Sequence, residues 1–135
     1  MKADGYGHGA LRAARAALEG GASRLGVADI AEGVALRRAG ITAPILAWLH
    51  APGASFVEAA ALGITLGVSS MAQLLAAAEA ASADRPTIVH LKLETGLGRN
   101  GVAPDDWKTV LAEAARFERL GKIVVEGLFS HLSNT

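Results

Sequence analysis

The first residues able to do chemistry are a lysine and a tyrosine set among glycines, in the opening stretch MKADGYGHGA. A lysine amine can form a Schiff base with a carbonyl cofactor when burial or a nearby cation drives it neutral, which makes Lys2 a candidate nucleophile. Glycines at positions 5, 7 and 9 allow a tight turn and leave room for a flat ring above the backbone. The Tyr6 hydroxyl could then reach a phosphate. Taken alone, the same stretch also fits an exposed tail.

A second glycine-rich stretch, TGLGRNG, surrounds Arg99. It contains G-x-G-x-x-G at Gly96, Gly98 and Gly101, the pattern of a dinucleotide-binding turn. In such a turn the following helix runs through the third glycine, whereas here the predicted helix begins only at Pro104. The spacing therefore favours a tight loop that points Arg99 inward over a nucleotide site.

Two further polar residues lie in or after apolar strands. Lys92 occurs within VHLKLE, and the period of two places it on one strand face with His90 and Glu94. A bare ammonium is costly to bury, so Lys92 in a barrel interior must be paired or modified; the same face could instead point to solvent at a barrel end. His131 ends the last predicted strand, where a lone histidine is more often structural than functional.

The composition of these 135 residues limits the class of protein. The length fits a single domain, and the absence of cysteine excludes disulfides and thiolate metal sites. The formal net charge is zero with no basic stripe, which argues against a nucleic-acid partner. No apolar run reaches the roughly 18 residues of a membrane span, and no signal peptide is apparent, so we expect no membrane partner and a cytoplasmic location. The four histidines are too scattered to predict a metal site, and His8 and His50 are interpreted as structural or surface residues.

These residues must be positioned by alternating strands and helices, which the hydrophobic pattern predicts along the whole chain. Five apolar runs read as strands: RLGVA, APILAWLH, ITLGVSS, PTIVHLKLE and KIVVEGLFSH. Helices lie between them, with Asp29 as a predicted N-cap and Ser70 and Gln73 as a predicted capping box. The helix after Pro104 is the clearest, with one apolar face formed by Trp107, Val110, Leu111, Ala114 and Phe117.

This alternation predicts an α/β fold with a parallel sheet, either doubly wound or part of a (β/α)8 TIM-type barrel. Because a whole barrel needs about 250 residues, an incomplete barrel of about strands 1–6 is favoured. Lys2 would stand at the tip of a sixth strand whose body is missing, so we expect residues 1–135 to be a partial barrel domain cut at both ends. Since functional loops follow the strands of such folds, Lys2, Arg99 and His131 are predicted to share one face of the barrel.

The three candidate stretches together resemble the signatures of bacterial alanine racemases. KADGYGHGA resembles the pyridoxal-phosphate (PLP) lysine motif of that family, LKLETGLGRNGV its second signature and EGLFSHLSN its third, in family order. The resemblance implies that Lys2 holds PLP covalently and is the base on one face of the substrate Cα, and that Tyr6 contacts the cofactor phosphate. It implies that Arg99 lies beside the cofactor's phenolic oxygen and the substrate carboxylate, and that His131 packs against the pyridine ring. Lys92 would be carbamylated, with the carbamate orienting Arg99.

The activity implied is the interconversion of L- and D-alanine by two-base proton transfer at Cα, which supplies D-alanine for peptidoglycan. The family's opposite-face base is a tyrosine from the C-terminal β-domain of a partner subunit, and Tyr6 does not match its motif. Because that domain is absent from these residues, we expect a homodimeric full-length parent but no useful racemase activity from this chain alone. Two alternatives stay open: a PLP carrier of the same fold type without racemase activity, and an interaction fragment without cofactor.

Overall fold

The sheet has five parallel strands in a computed structural model that describes residues 1–132. The strands lie in chain order, and each consecutive pair is joined through at least one helix. Their bounds are β1 Leu25–Val27, β2 Ile45–Ala47, β3 Thr65–Val68, β4 Thr87–Lys92 and β5 Ile123–Phe129. Parallel pairing with helical crossovers is the arrangement predicted from the sequence, so the α/β fold is confirmed.

The helices are α1 Lys2–Tyr6, α2 Ala10–Glu19, α3 Ile30–Arg38, α4 Val57–Ala61, α5 Met71–Glu79 and α6 Trp107–Arg119, with a 3-10 helix Pro104–Asp106 leading into α6. Helix α3 begins with a complete capping box, because the Asp29 side chain accepts the Glu32 N–H and the Glu32 side chain accepts the Asp29 N–H. At α5, Ser70 accepts the Gln73 N–H at 3.3 Å. The Gln73 side chain, however, accepts from Ser69, one residue earlier than a capping box requires.

The core lies between the sheet and the helices. Alternate strand residues that face the helices are inaccessible or nearly so, among them Leu25, Val27, Ala47, Leu66, Val68, Val89 and Leu91. From α6, Val110, Ala114 and Phe117 pack onto this core as predicted. Leu111 shares the predicted apolar face but is 40 % exposed, so it is not part of the buried stripe. It follows Val110 by one position, about 100° around the helix, and so lies at the edge of the apolar stripe.

The sheet curls toward the face that the helices leave uncovered. In a flat sheet, the first and fifth strands would lie about 19 Å apart. Yet Arg24, just before β1, contacts Glu126 in β5, with 3.2 Å between Nη1 and Oε2. The curl agrees with the expected part of a barrel, and we call the concave side the inner face. Within residues 1–132, no helix is both long enough and apolar enough to cross a membrane.

Candidate functional site

The opening stretch is an ordered turn rather than a loose tail. Ala3, Asp4 and Tyr6 have φ angles of 52°, 53° and 56°, a left-handed conformation that residues with a side chain rarely adopt. Several contacts hold it: the Asp4 carboxylate accepts the Ala10 N–H at 2.6 Å, and the Gly9 N–H donates to the Asp4 carbonyl. Strained backbone of this kind is concentrated at functional sites.

The same turn is anchored beside β1, and this anchoring positions Lys2. The amino group of Met1 donates to the Gly26 carbonyl at 2.9 Å. The Glu32 carboxylate accepts the Ala3 N–H through Oε1 at 2.7 Å, and the Ala28 N–H, just after β1, through Oε2 at 2.8 Å. Lys2 is therefore adjacent to the loop that follows β1, at the edge where the strands have their carboxyl ends. Its side chain is exposed, with Nζ 5.3 Å from the centroid of the Tyr6 ring.

The glycine-rich loop after β4 brings Arg99 to His131. The loop closes through a parallel bridge between Leu93 and Val102, and the Glu94 carboxylate accepts the Gly96 N–H inside it. At the loop tip, Arg99 Nη2 lies 3.3 Å from His131 Nδ1. Both side chains are exposed at the carboxyl edge of β4 and β5. The loop is tight, as predicted, but the Arg99 side chain is exposed at the edge of the sheet rather than pointing inward.

Lys92 lies behind this pair and is buried, with 1 % of its surface exposed. Its Nζ donates to Asn100 Oδ1 and lies 5.9 Å from the centroid of the Phe129 ring. Burial lowers the pKa of Lys92, the nearby Arg99 guanidinium lowers it further, and the Glu94 carboxylate raises it. The sequence left open whether Lys92 lies in the interior or points to solvent, and in the structure it is buried.

The sequence predicts no role for four polar residues near the site, although three of them, Thr95, Asn100 and Ser130, lie inside the second and third motifs. The Asn100 amide reaches Ser69 Oγ at 3.5 Å, so a side chain after β3 joins the Lys92 contact. The hydroxyls of Thr95 and Ser130 hydrogen-bond to each other and link the loops after β4 and β5. These contacts join residues 31 or more positions apart, so only the fold reveals them. A second strand-end histidine, His50, has both ring nitrogens buried.

Trp48 supplies a flat apolar surface on the inner face. It follows β2, and its side chain lies against the backbone of Gly26 in β1 and Gly67 in β3. The Phe129 ring also approaches Gly67. The inner face at this edge is thus lined by two aromatic side chains beside the buried Lys92.

The predicted residues fall into two groups. Arg99 and His131 are in contact, and Lys92 adjoins them through the β4 loop. Lys2 and Tyr6 form a separate group near β1, and no hydrogen bond within residues 1–132 joins Lys2 to Arg99 or His131. Tyr6 is 71 % exposed. Ser133 and Asn134, which belong to the third motif, lie outside the described residues.

Comparison with known proteins assigns the family. Residues 1–135 match the family described as alanine racemase, N-terminal domain. The chain belongs to this family. The alanine racemase of Thermobifida fusca (strain YX) is 53 % identical over 134 residues, which cover 98 % of this chain and 36 % of that protein. The resemblance drawn from the three motifs is therefore confirmed.

Solved alanine racemase structures share the fold. The enzyme from D-cycloserine producing Streptomyces lavendulae superposes with a TM-score of 0.95 at 42 % identity, covering 98 % of this chain and 35 % of that one. The enzyme from Streptomyces coelicolor A3(2) gives a TM-score of 0.93 at 41 % identity, covering 98 % and 36 %. The chain thus spans about a third of the length of the alanine racemases it matches.

The side chains at this edge suit the cofactor that alanine racemases imply. PLP combines an aldehyde with a phenolic oxygen, a phosphate and a planar ring. Within residues 1–132, the Arg99 guanidinium has no carboxylate partner and its side-chain hydrogen-bond partner is the His131 ring, so its charge is free for an anionic ligand. Lys2 offers an exposed amine, and Trp48 and Phe129 offer flat surfaces. The donor set fits PLP.

Proposed function

We propose that this chain is the PLP-binding part of an enzyme that interconverts L- and D-alanine. The observation that carries the proposal is the family match over residues 1–135, which includes all three candidate motifs. In support, Arg99 and His131 meet at the carboxyl edge of the sheet, and the Lys2 turn is anchored at the same edge beside β1.

In this proposal, Lys2 holds the cofactor and its amine exchanges a proton with the substrate Cα on one face. When bound, PLP withdraws electrons from Cα and so acidifies that proton. The Arg99 guanidinium would bind the phenolic oxygen and the substrate carboxylate, since within residues 1–132 it has no carboxylate partner. His131 supports the pyridine ring, and the exposed Tyr6 hydroxyl donates to the phosphate.

We also propose that Lys92 is carbamylated. Its burial favours the neutral amine, which is the form that reacts with carbon dioxide. The nitrogen forms a bond to the CO2 carbon and releases a proton to water, leaving a carbamate that would attract Arg99. Samples supplied with 13C-bicarbonate would show a carbamate NMR signal that is absent in Lys92→Met. A bare amine under those conditions would contradict this assignment.

The remaining proposals concern the whole protein. Residues 1–135 would supply about the first six strands of a TIM-type barrel, and a C-terminal β-domain from a partner subunit would supply the second base. The complete enzyme would then be a cytoplasmic homodimer that makes D-alanine for peptidoglycan. Because this chain covers about a third of its relatives, we expect it to have no useful racemase activity by itself.

The decisive experiment uses a chimera in which this chain replaces the matching 134-residue segment of the Thermobifida fusca alanine racemase. With PLP, the chimera should convert each alanine enantiomer into the other. Lys2→Ala should abolish this conversion, while Lys108→Ala, an exposed lysine on α6, should retain it. Borohydride reduction should attach the cofactor to Lys2.

The outcomes separate the candidate functions. Cofactor attached to Lys2 without racemisation of either enantiomer would favour the PLP carrier. Cofactor attached to another lysine would refute the proposed site. Full activity of the 135-residue chain alone would refute the expected need for the rest of the protein.

A further inference from the structure

Strand β5 contains one residue more than its pairing with β4 requires. Residues 87–89 pair in order with residues 123–125, but the next residue of β4, His90, pairs with Gly127. Glu126 is therefore the extra residue of a β-bulge. Bulges are rare in parallel pairs and are common beside active sites, where they redirect side chains.

The bulge decides which face the end of β5 presents. Side chains alternate along a regular strand, so if residues 123–131 ran on regularly, with Glu126 paired and no bulge, His131 would share the face of Ile123 and Val125, which is covered by the helices. With the extra residue, Phe129 pairs with Lys92 on the inner face. His131, two positions later, then lies on the side of Arg99.

Side chains on both sides of β5 hold the bulge. On the inner face, Glu126 Oε2 lies 3.2 Å from His90 Nε2 and 3.2 Å from Arg24 Nη1. On the helix side, Glu118 of α6 accepts the N–H of Val125 at 2.8 Å, just before the bulge. The ion pair of Arg24 with Glu126 is about half exposed and contributes little to stability. The ion pair matters because it contacts Glu126, the extra residue of the bulge.

The neighbouring glycine fits the same arrangement. A Cβ atom on Gly127 would lie 3.1 Å from Cε1 of the His90 ring. The imidazole therefore packs directly on the strand backbone, next to the carboxylate that it contacts. A side chain at position 127 would push His90 away from Glu126.

We infer that Glu126 is a positioning residue: its bulge, held by His90, Arg24 and Glu118, places His131 on the face of the sheet where Arg99 lies. The functional meaning of this placement rests on the proposed role of His131. The strand register itself does not, and it can be measured without cofactor. A failed racemase assay and a wrong register are therefore distinguishable.

The register can be read by thiol labelling, because the chain has no cysteine of its own. Leu128→Cys and Phe129→Cys are made separately in the 135-residue chain without cofactor. Leu128 is 57 % exposed whereas Phe129 points inward, so Leu128→Cys should react roughly tenfold faster with an alkylating reagent, since access controls thiol reactivity. Deleting Glu126 should keep this order, because residues 127–129 then continue the regular pairing opposite residues 90–92. Glu126→Ala keeps the extra residue but removes the contacts that hold the bulge, so it should narrow the ratio of the two rates or reverse it.

The controls keep the inference falsifiable. Glu126→Gln retains the residue count, so it should keep the order but narrow the ratio; Glu113→Gln, on α6 and paired with Arg116, should leave the ratio unchanged. If Glu126→Ala does not fold, the narrowed ratio of Glu126→Gln tests the same contacts. A ratio unchanged from the unsubstituted chain in the folded variant, or a reversed order in the deletion variant, would overturn the inference.

Discussion

Gly101 offers a quantitative test of how the Arg99 loop is closed. Its φ is 141°, and an added Cβ would lie 2.7 Å from the Glu94 backbone nitrogen and 2.9 Å from the Leu93 carbonyl carbon. These are backbone atoms of the bridge that closes the loop, so they cannot move aside as a flexible side chain can. Gly96, in the same loop, has a φ of 133° but no atom within 4 Å of an added Cβ. An alanine at either position would therefore have a strained backbone, but only the alanine at position 101 would also collide with neighbouring atoms.

The magnitudes follow from that difference. An alanine at either position stores about 1–3 kcal/mol of backbone strain. The collision at Gly101 adds about 1–3 kcal/mol, the usual cost of overpacking. Since 1 kcal/mol shifts the melting temperature of a domain this size by about 4 °C, Gly101→Ala should unfold about 4–12 °C below Gly96→Ala.

Thermal unfolding followed by circular dichroism measures both variants against the parent chain. The Gly101→Ala chimera should also lose racemase activity beyond any loss in Gly96→Ala, because opening the bridge moves Arg99 away from His131. Equal melting temperatures for the two variants would refute the argument that close backbone approach fixes this loop.

Three further changes test other contacts. Burial depresses the pKa of Lys92, so the unfolded chain holds more protons as pH rises from the folded-state pKa toward 10.5. In bicarbonate-free buffer, where Lys92 keeps its free amine, urea unfolding should show the unsubstituted chain gaining stability relative to Lys92→Met over that window, and a constant difference would contradict this. Burial likewise lowers the pKa of His50, so the free energy of unfolding should fall as pH drops below 6.5. This fall should be smaller in His50→Gln, whereas the exposed control His8→Gln should show the same fall as the unsubstituted chain. Glu32→Ala removes the acceptor of the Ala3 and Ala28 N–H groups, so amide exchange in residues 1–7 should accelerate, whereas the exposed control Glu19→Ala should leave it unchanged.

The strands and caps were predictable because their signals are local. Buried parallel strands appear as short apolar runs, and all five predicted runs contain a strand. The N-cap at Asp29 could be predicted because its partner, Glu32, is only three residues later in the chain. Leu111 shows the limit of this reasoning, since a helical face drawn from spacing does not reveal where the stripe ends.

The parts of the site that could not be predicted depend on distant partners or on backbone conformation. Asn100 becomes the partner of Lys92 only when the loop after β4 folds back over the strand. The bulge at Glu126 cannot be recognised in KIVVEGLFSH. One extra residue only shifts which later side chains face each side of the sheet, and the apolar pattern of the run does not reveal that shift. Similarly, nothing in the residue types of Ala3 and Asp4 favours the left-handed backbone that they adopt.

The two faces of the sheet follow different physical rules, and this constrains how the site can change. The helix side is largely apolar, and burial is its main contribution to the stability of the fold. On the inner face, Lys92 is tolerated because Asn100 Oδ1 accepts a hydrogen bond from its Nζ, and His90 and Glu126 are tolerated because each contacts the other. The contacts that satisfy these polar groups are also the contacts that set the positions of the Arg99 loop and the end of β5. An apolar replacement on this face would therefore relieve a burial cost while loosening the proposed site, so selection for stability and selection for activity should favour different residues there.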